Sequence, residues 1–364
     1  DMAQFEMAIA YCYTNIGNAH YEMNLTSRSL DAHGEALSIR KRLTRRNVGV
    51  SEYEFELATC HLNIGRVLYS AQRLDQSLAS FRQALEISEP LAEANPSVSE
   101  YQLAYAASHN AAGTIYSDKG DIAKASASYR HALEIFQRLV NQDPTKTDLA
   151  VHLGATHVNI GRLTLQPTAV HTASLDALDS GVMILENVVR LNPDHTAARE
   201  FLSKAYWSLA LSSEAHDEWE SAAQQWASAS EYDDKGHQLE FFCKRRAQAF
   251  ANVGYYSTDT GKALAAYNMA LEIIEPLADK NTVVAEFQDI LAYTLTNRAY
   301  LHYESGQRDM ALVDFNVALE IQEQLANAHP NDVGYRNDLT TTLNNIGLLY
   351  YELGEAEKAY SLYA

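Results

Sequence analysis

The chain repeats itself with a step of 48 residues, and no other feature limits its fold as tightly. Asn15-Ile16-Gly17, Asn63-Ile64-Gly65 and Asn159-Ile160-Gly161 are spaced by 48 and then 96 residues, and Ala111-Ala112-Gly113 fills the missing step. Ser208-Leu209-Ala210, Asn252-Val253-Gly254, Asn297-Arg298-Ala299 and Asn345-Ile346-Gly347 extend the series to eight copies. A second block keeps the same rhythm. Phe81 to Ile87 is echoed from Tyr129 to Ile135, Tyr267 to Ile273 and Phe315 to Ile321, with weaker copies through Ala36, Gly181 and Ala229. Seven copies of the second block alternate with eight of the first, so the chain is an array of A- and B-segments. A unit repeated in this way buries its apolar face only by stacking on its neighbours.

Within each segment the period is helical. Tyr53, Leu57, His61 and Gly65 fall every four residues, as do Tyr101, Tyr105, His109 and Gly113, and Tyr335, Leu339, Leu343 and Gly347. Four-residue steps hold side chains on one slowly drifting stripe of an α-helix. The glycine or alanine closing that stripe lets the two helices of a hairpin approach, and the B-segment alanine is expected to serve from the other side. Asn95-Pro96, Asp143-Pro144, Asn192-Pro193 and His329-Pro330 each lie 12 residues beyond the B-segment small residue, where proline ends one helix and opens the next. Lys119-Gly120-Asp121 and Leu353-Gly354-Glu355 read as tight A-to-B turns with a left-handed glycine. Pro90 and Pro276 sit at one equivalent site inside two B-helices and are expected to bend both.

Gly113, then Tyr116, Gly120, Ala125, Tyr129 and Ala132 at offsets of 3, 7, 12, 16 and 19, resembles the tetratricopeptide repeat (TPR) signature. The third repeat matches at every position, the second and eighth partly. Length departs from the pattern, since TPR units run to about 34 residues. The extra length fits as about two turns on each helix, because seven residues make two turns and keep the buried face. Longer variants of this kind occur in kinesin light chains. The phrasing from Leu85-Glu86-Ile87 through Asn95-Pro96-Ser97-Val98-Ser99-Glu100-Tyr101 resembles the C-terminal arms of planctomycete-type serine/threonine kinases.

The resemblance implies an all-α, right-handed α-solenoid of antiparallel helix hairpins, about seven and a half repeats in a single domain over 1–364. Repeat boundaries are expected near 1–48, 49–96, 97–144, 145–193, 194–237, 238–281 and 282–330, with an incomplete unit at 331–364. An irregular junction is expected near 230–262, because Ala229 to Ala270 spans 41 residues. About one turn is missing around Asp233-Asp234-Lys235-Gly236 and about three residues after Gly254, and a change of superhelical pitch is expected there. The chain starts at Asp1 and stops at Ala364 without a polar cap, which reads as an excised piece of a longer protein.

In TPR arrays the A-helices line a concave groove. Asparagine stands two residues before the small residue in six of eight repeats: Asn15, Asn63, Asn159, Asn252, Asn297 and Asn345. An amide side chain both donates and accepts, so a row of them can grip an extended peptide backbone. The resemblance to the TPR groove of O-linked N-acetylglucosamine transferase implies this use; the alternative is bonding between neighbouring helices. Tyr21, Tyr69, Tyr303 and Tyr351 flank the row, while Glu22, Asp118, Glu304 and Glu352 give it an acidic cast suited to a basic peptide. The plainer alternative is a solvated acidic face with tyrosines packed between repeats. Trp207 is the single hot-spot candidate. Asn18 and Asn63 match the asparagines of a carboxylate clamp, but Thr14, Asn110 and Thr114 occupy its cationic sites, which argues against one.

Other function classes fare worse. A net charge of −19, from 47 acidic against 28 basic residues, repels phosphate backbones and anionic lipid, so neither nucleic acid nor membrane is expected as a partner. Arg40-Lys41-Arg42 with Arg45-Arg46, and Lys244-Arg245-Arg246, are read as solvated exceptions at helix ends or inter-repeat turns. Three scattered cysteines make no disulfide framework, and the chain reads as reduced and cytoplasmic. His152 and His157 are splayed by about 140° around a helix, unlike a zinc helix, and His61, His109 and His157 share one buried stripe. No cofactor or metal is expected, and no phosphate loop, nucleophile elbow or kinase motif occurs, so the chain is read as non-enzymatic. The leading reading is a scaffold binding peptide or protein partners in the groove. The alternative is a regulatory or substrate-recruiting arm of a serine/threonine kinase whose catalytic domain lies elsewhere. A further reading is end-to-end self-association through exposed repeat ends.

Overall fold

Each A- and B-segment becomes one helix. The computed structural model describes residues 2–165, 172–233, 236 and 238–363, and among these the chain forms sixteen α-helices and no strand. The first eight are α1 (Met2–Glu22), α2 (Thr26–Arg46), α3 (Ser51–Ser70), α4 (Leu74–Ala94), α5 (Ser99–Asp118), α6 (Ile122–Gln142), α7 (Thr147–Thr164) and α8 (Thr172–Leu191). There follow α9 (Thr196–Ala215), α10 (Trp219–Glu231), α11 (Leu239–Tyr256), α12 (Thr260–Lys280), α13 (Ala285–Glu304), α14 (Arg308–Ala328), α15 (Val333–Glu352) and α16 (Ala356–Tyr363). Odd-numbered helices are A, even-numbered B. The architecture is an all-α solenoid of antiparallel helix hairpins. It packs as two compact units, Asp1–Leu202 and Ser203–Ala364, divided within α9.

In the first seven hairpins the small residue of the A-helix receives a side chain of its B-helix, three residues before the B-helix small residue. A Cβ on Gly65 would lie 2.3 Å from the Phe81 ring, on Gly113 2.8 Å from Tyr129, and on Gly254 2.6 Å from Tyr267. Each of these rings is buried, so glycine is required by the approach itself. The B-helix adds a polar tie, in which Ser29 Oγ donates to the Gly17 carbonyl at 2.8 Å and Ser77 Oγ to that of Gly65 at 2.7 Å. The turns between A and B take one left-handed residue, Gly120 (φ +74°) and Gly354 (φ +80°) among them. Asn24, Gln72 and Asp217 hold the same conformation with φ near +58°. Helices α4 and α12 continue through Pro90 and Pro276.

Helices next-but-one in the chain that pack together (α1 on α3, α3 on α5, α5 on α7, α11 on α13, α13 on α15) are all A-helices. Within each unit the A-helices therefore approach one another across repeats and form the inner face. Helix α10 has 13 residues, where its B-helix neighbours α8 and α12 have 20 and 21. The shortened stretch around Asp233-Asp234-Lys235-Gly236 includes Asp234 and Lys235, which lie outside the described residues. An aromatic cluster fills the neighbourhood. Trp226 is fully buried against Phe241 and Phe242, with ring centroids 5.7 and 5.9 Å away. Burying a side chain of that size contributes roughly 1.5–3 kcal/mol or more.

The basic clusters are solvated only in part, a correction to the sequence reading: Arg42, Arg45 and Arg46 are exposed, but Arg40 is buried and Lys244, Arg245 and Arg246 are half-buried. Arg40 is 1% exposed and pairs with Glu56 at 2.8 Å. It continues the buried stripe Ser29, Ala32, His33, Ala36 of α2, a register visible in the sequence. Lys244 pairs with Glu286 and Arg245 with Glu214, and the Arg245 guanidinium lies 5.5 Å over the Trp226 ring. The aromatic cluster thus recruits these cations as lids.

Candidate functional site

In the first unit the inner face carries a cavity of about 210 Å³ between the first two hairpins. Its walls are Asn18, Tyr21 and Glu22 from the last turns of α1, Asn63, Arg66 and Val67 from α3, and His33 from α2. These residues meet because Gly17 and Gly65 are equivalent, so the residues that follow each glycine project side by side from adjacent A-helices. The Arg66 guanidinium stands 5.9 Å over the Tyr21 ring. Burial, then the charges of Arg40 and Arg66, hold His33 down to about 4, so its imidazole is neutral near pH 7.

Of the residues singled out in the sequence, the cavity brings together Asn18, Tyr21, Glu22 and Asn63. The remaining asparagines do not form one row of free amides. Asn15 is exposed on α1, and Asn345 is half-buried on α15. Asn159 donates to Asn110 at 3.5 Å, and the Thr156 hydroxyl donates to the same oxygen at 3.4 Å, linking α7 to α5. Asn252 accepts from Gln248 at 3.4 Å, and Asn297 donates to the Tyr293 carbonyl of its own helix at 2.9 Å. Trp207 is half-buried, its ring 5.3 Å from Phe241 and 5.7 Å from Phe242, so much of its surface is spent on packing α9 against α11.

The tyrosines and acids of the inner face bond to each other across repeats. Tyr303 donates to Glu352 at 2.5 Å, and Tyr69 bonds Asp118 at the equivalent step in the first unit. Burial and that bond push the Tyr69 phenol up to about 12. Sequence inspection placed these groups on one face; that they pair depends on the offset between neighbouring A-helices.

In the second unit the A-helices are richer in exposed rings. Tyr255, Tyr256 and Tyr351 are 57%, 62% and 70% exposed. Tyr255 packs edge-on to Tyr256 at 5.1 Å and lies 6.4 Å from Tyr293 of α13. Beside Tyr293 are carboxylates that no cation answers among the described residues. Burial, then the charges of Asp338 and Asp332, push the half-buried Asp289 up to about 6, and burial and Asp332 also raise Asp338. Arg66, His33, Asp289 and the Tyr255-Tyr256 pair escaped the sequence reading. The signal for Arg66 and Tyr255 is their place directly after the small residue, on the stripe that faces inward.

Among the described residues, no group of three or more His, Cys, Asp or Glu could hold a metal, and no helix is long and apolar enough to cross a membrane. His61 is buried, His109 stacks on His131 at 5.0 Å, and His152 stacks on Phe136 at 5.2 Å. Cys12, Cys60 and Cys243 are free.

Residues 9–44 and 56–138 match models of the tetratricopeptide repeat, stretches that cover parts of α1 to α6. No curated protein sequence matches the chain. Among solved structures it is similar to the C-terminal part of a TPR repeat-containing protein from Cytophaga hutchinsonii (15% identity, 90% of this chain and 99% of that one, TM-score 0.43). It is similar also to the apo form of RapI (13%, 87% and 99%, TM-score 0.44) and to YrrB, a TPR protein with an unusual peptide-binding site (21%, 64% and 91%, TM-score 0.33). The chain therefore carries tetratricopeptide repeats, at residues 9–44 and 56–138.

Proposed function

We propose that the chain is a protein-interaction module whose second unit takes an extended, cationic segment of a partner protein along its inner, A-helix face. The observation that carries this reading is the company of exposed tyrosines and unanswered carboxylates. Tyr255, Tyr256 and Tyr351 present large, half-rigid rings to solvent, and Asp289 and Asp338 hold charge in a partly desolvated place with only like charges near. Lysine and arginine satisfy both, by packing over the ring faces and by charge-assisted hydrogen bonds to the carboxylates. A net charge of −19 steers such a partner inward. Among the asparagines, Asn159 ties α7 to α5 in this reading, while Asn252 and Asn297 bond within their own helices. The kinase-arm reading rests on sequence phrasing alone.

The test is a peptide array probed with the intact chain, comparing Lys/Arg-rich, neutral and acidic extended peptides at two salt concentrations. Basic peptides should bind, more weakly as salt rises, and Tyr255→Ala with Tyr351→Ala should weaken them roughly tenfold while helicity and melting hold. Equal binding of acidic peptides, or full affinity in the tyrosine variants, would sink the proposal.

A further inference from the structure

Seven B-helices place a residue three positions before their small residue, against the A-helix. Six of these are Phe81, Tyr129, Leu178, Trp226, Tyr267 and Phe315; in α2 it is His33. At this position the Tyr129 hydroxyl donates to Thr114 at 3.3 Å and the Trp226 ring N–H to Glu214 at 2.7 Å. His33 is as buried as they are, at 1% exposure, yet neither of its ring nitrogens has a hydrogen-bond partner. A buried polar group left unbonded costs about 1–3 kcal/mol, so packing alone does not explain a histidine where six repeats use bulkier apolar or aromatic residues.

His33 forms one wall of the cavity between the first two hairpins, and the other walls carry both signs of charge. Arg66 and Glu22 each face the space, and neither makes an ion pair among the described residues. The Asn18 and Asn63 amides stand beside them. The walls sum to zero formal charge, unlike an anion clamp, which would be positive. A volume of about 210 Å³ is more than ten times what one water needs, ~10–15 Å³, so a molecule of several heavy atoms fits.

We infer that this cavity is a binding site for a free, zwitterionic α-amino acid. Its carboxylate meets the Arg66 guanidinium and the amide N–H groups of Asn18 and Asn63. Its ammonium donates to the Glu22 carboxylate and to the lone pair of the neutral His33 ring. The site lies wholly in the first unit and stands apart from the cationic-segment reading of the second.

The experiment uses the full chain, titrated calorimetrically with each common free L-amino acid at millimolar concentration. Any ligand found is then compared with its N-acetyl and carboxamide derivatives. His33→Phe restores the residue type that Phe81 supplies at the equivalent position, and Glu22→Gln and Arg66→Gln alter exposed positions. At least one amino acid should bind with unit stoichiometry, and both derivatives should bind at least tenfold more weakly. His33→Phe, Glu22→Gln and Arg66→Gln should each lose tenfold or more while their unliganded melting is preserved. If His33→Phe melts early, the two exposed variants decide. The inference is overturned if no amino acid binds, if the N-acetyl form binds as well as the free one (a peptide C-terminus site), or if well-folded variants keep full affinity.

Discussion

At the scale of the residue, Arg40 shows how a buried charge is held in a helix array. Its guanidinium pairs with Glu56 at 2.8 Å and lies 5.5 Å over the Tyr11 ring, and the Tyr11 hydroxyl donates to the other Glu56 oxygen at 2.8 Å. Burial, then Glu56, push the Tyr11 phenol up to about 12, so it remains a donor. Three A- and B-helices (α1, α2 and α3) are stitched at one point. Glu56→Gln should remove about 3–5 kcal/mol by stranding the Arg40 charge, whereas Arg40→Met with Glu56→Gln should recover much of that loss. Chemical denaturation followed by circular dichroism measures both, and a loss below about 1 kcal/mol for the single variant would mean that the charge finds solvent. The four-residue stripe of α2 does show Arg40 on the buried side. What it does not show is Glu56, which comes from the next repeat.

At the scale of the element, the hairpin is set by a missing side chain opposite a large one. Gly65→Ala places a methyl 2.3 Å from the Phe81 ring, which is buried and has nowhere to move. It should destabilise the chain by about 1–3 kcal/mol even though alanine favours helix. Gly34→Ala, in an open position within α2 where the new methyl meets nothing within 4 Å, should stabilise by about 0.5–1 kcal/mol. Thermal midpoints of the two variants against the parent give the opposite signs directly. The glycine contact was legible because the stripe ends there. The B-helix small residue was expected to serve the approach from the other side, and Gly181 does lie tight against Val158 and the Gly154 backbone; the side chain that enters the groove opened by the A-helix glycine stands three residues before it, one ridge over.

At the scale of the whole molecule, the two units respond to acid with opposite signs. In the second unit Asp289 is raised from 3.8 to about 6. A raised folded value means that its contribution to stability is fully present below about pH 3.8 and is lost as pH rises through about 6. In the first unit burial lowers His33, His61 and His109 from 6.5 to about 4. Lowered histidines contribute stability that is present above about pH 6.5 and lost as pH falls toward 4. All three tryptophans (Trp207, Trp219 and Trp226) lie in the second unit, so their fluorescence reports it alone, while circular dichroism reports both. Between about pH 7 and pH 5 the fluorescence transition should move up in denaturant and the remaining dichroic transition down. Asp289→Asn should flatten the first, and a fluorescence midpoint insensitive to that change would refute the assignment.

The sequence by itself determined the helices, their pairing into hairpins, the A–B alternation and the small-residue positions at which each hairpin closes, because all of these follow from spacing along one chain. A 48-residue step, a four-residue stripe and a proline 12 residues past four of the seven B-helix small residues are local quantities. Only the tertiary structure decided which polar groups on those helices find partners. Tyr69 reaches Asp118 and Tyr303 reaches Glu352, Arg40 finds Glu56, Trp207 turns into an aromatic cluster, and His33 is left facing Arg66 and Glu22 across a cavity. Each of these depends on how far one helix is offset and rotated against its neighbour. Periodicity says which face a residue occupies; packing against the next repeat sets what that face meets.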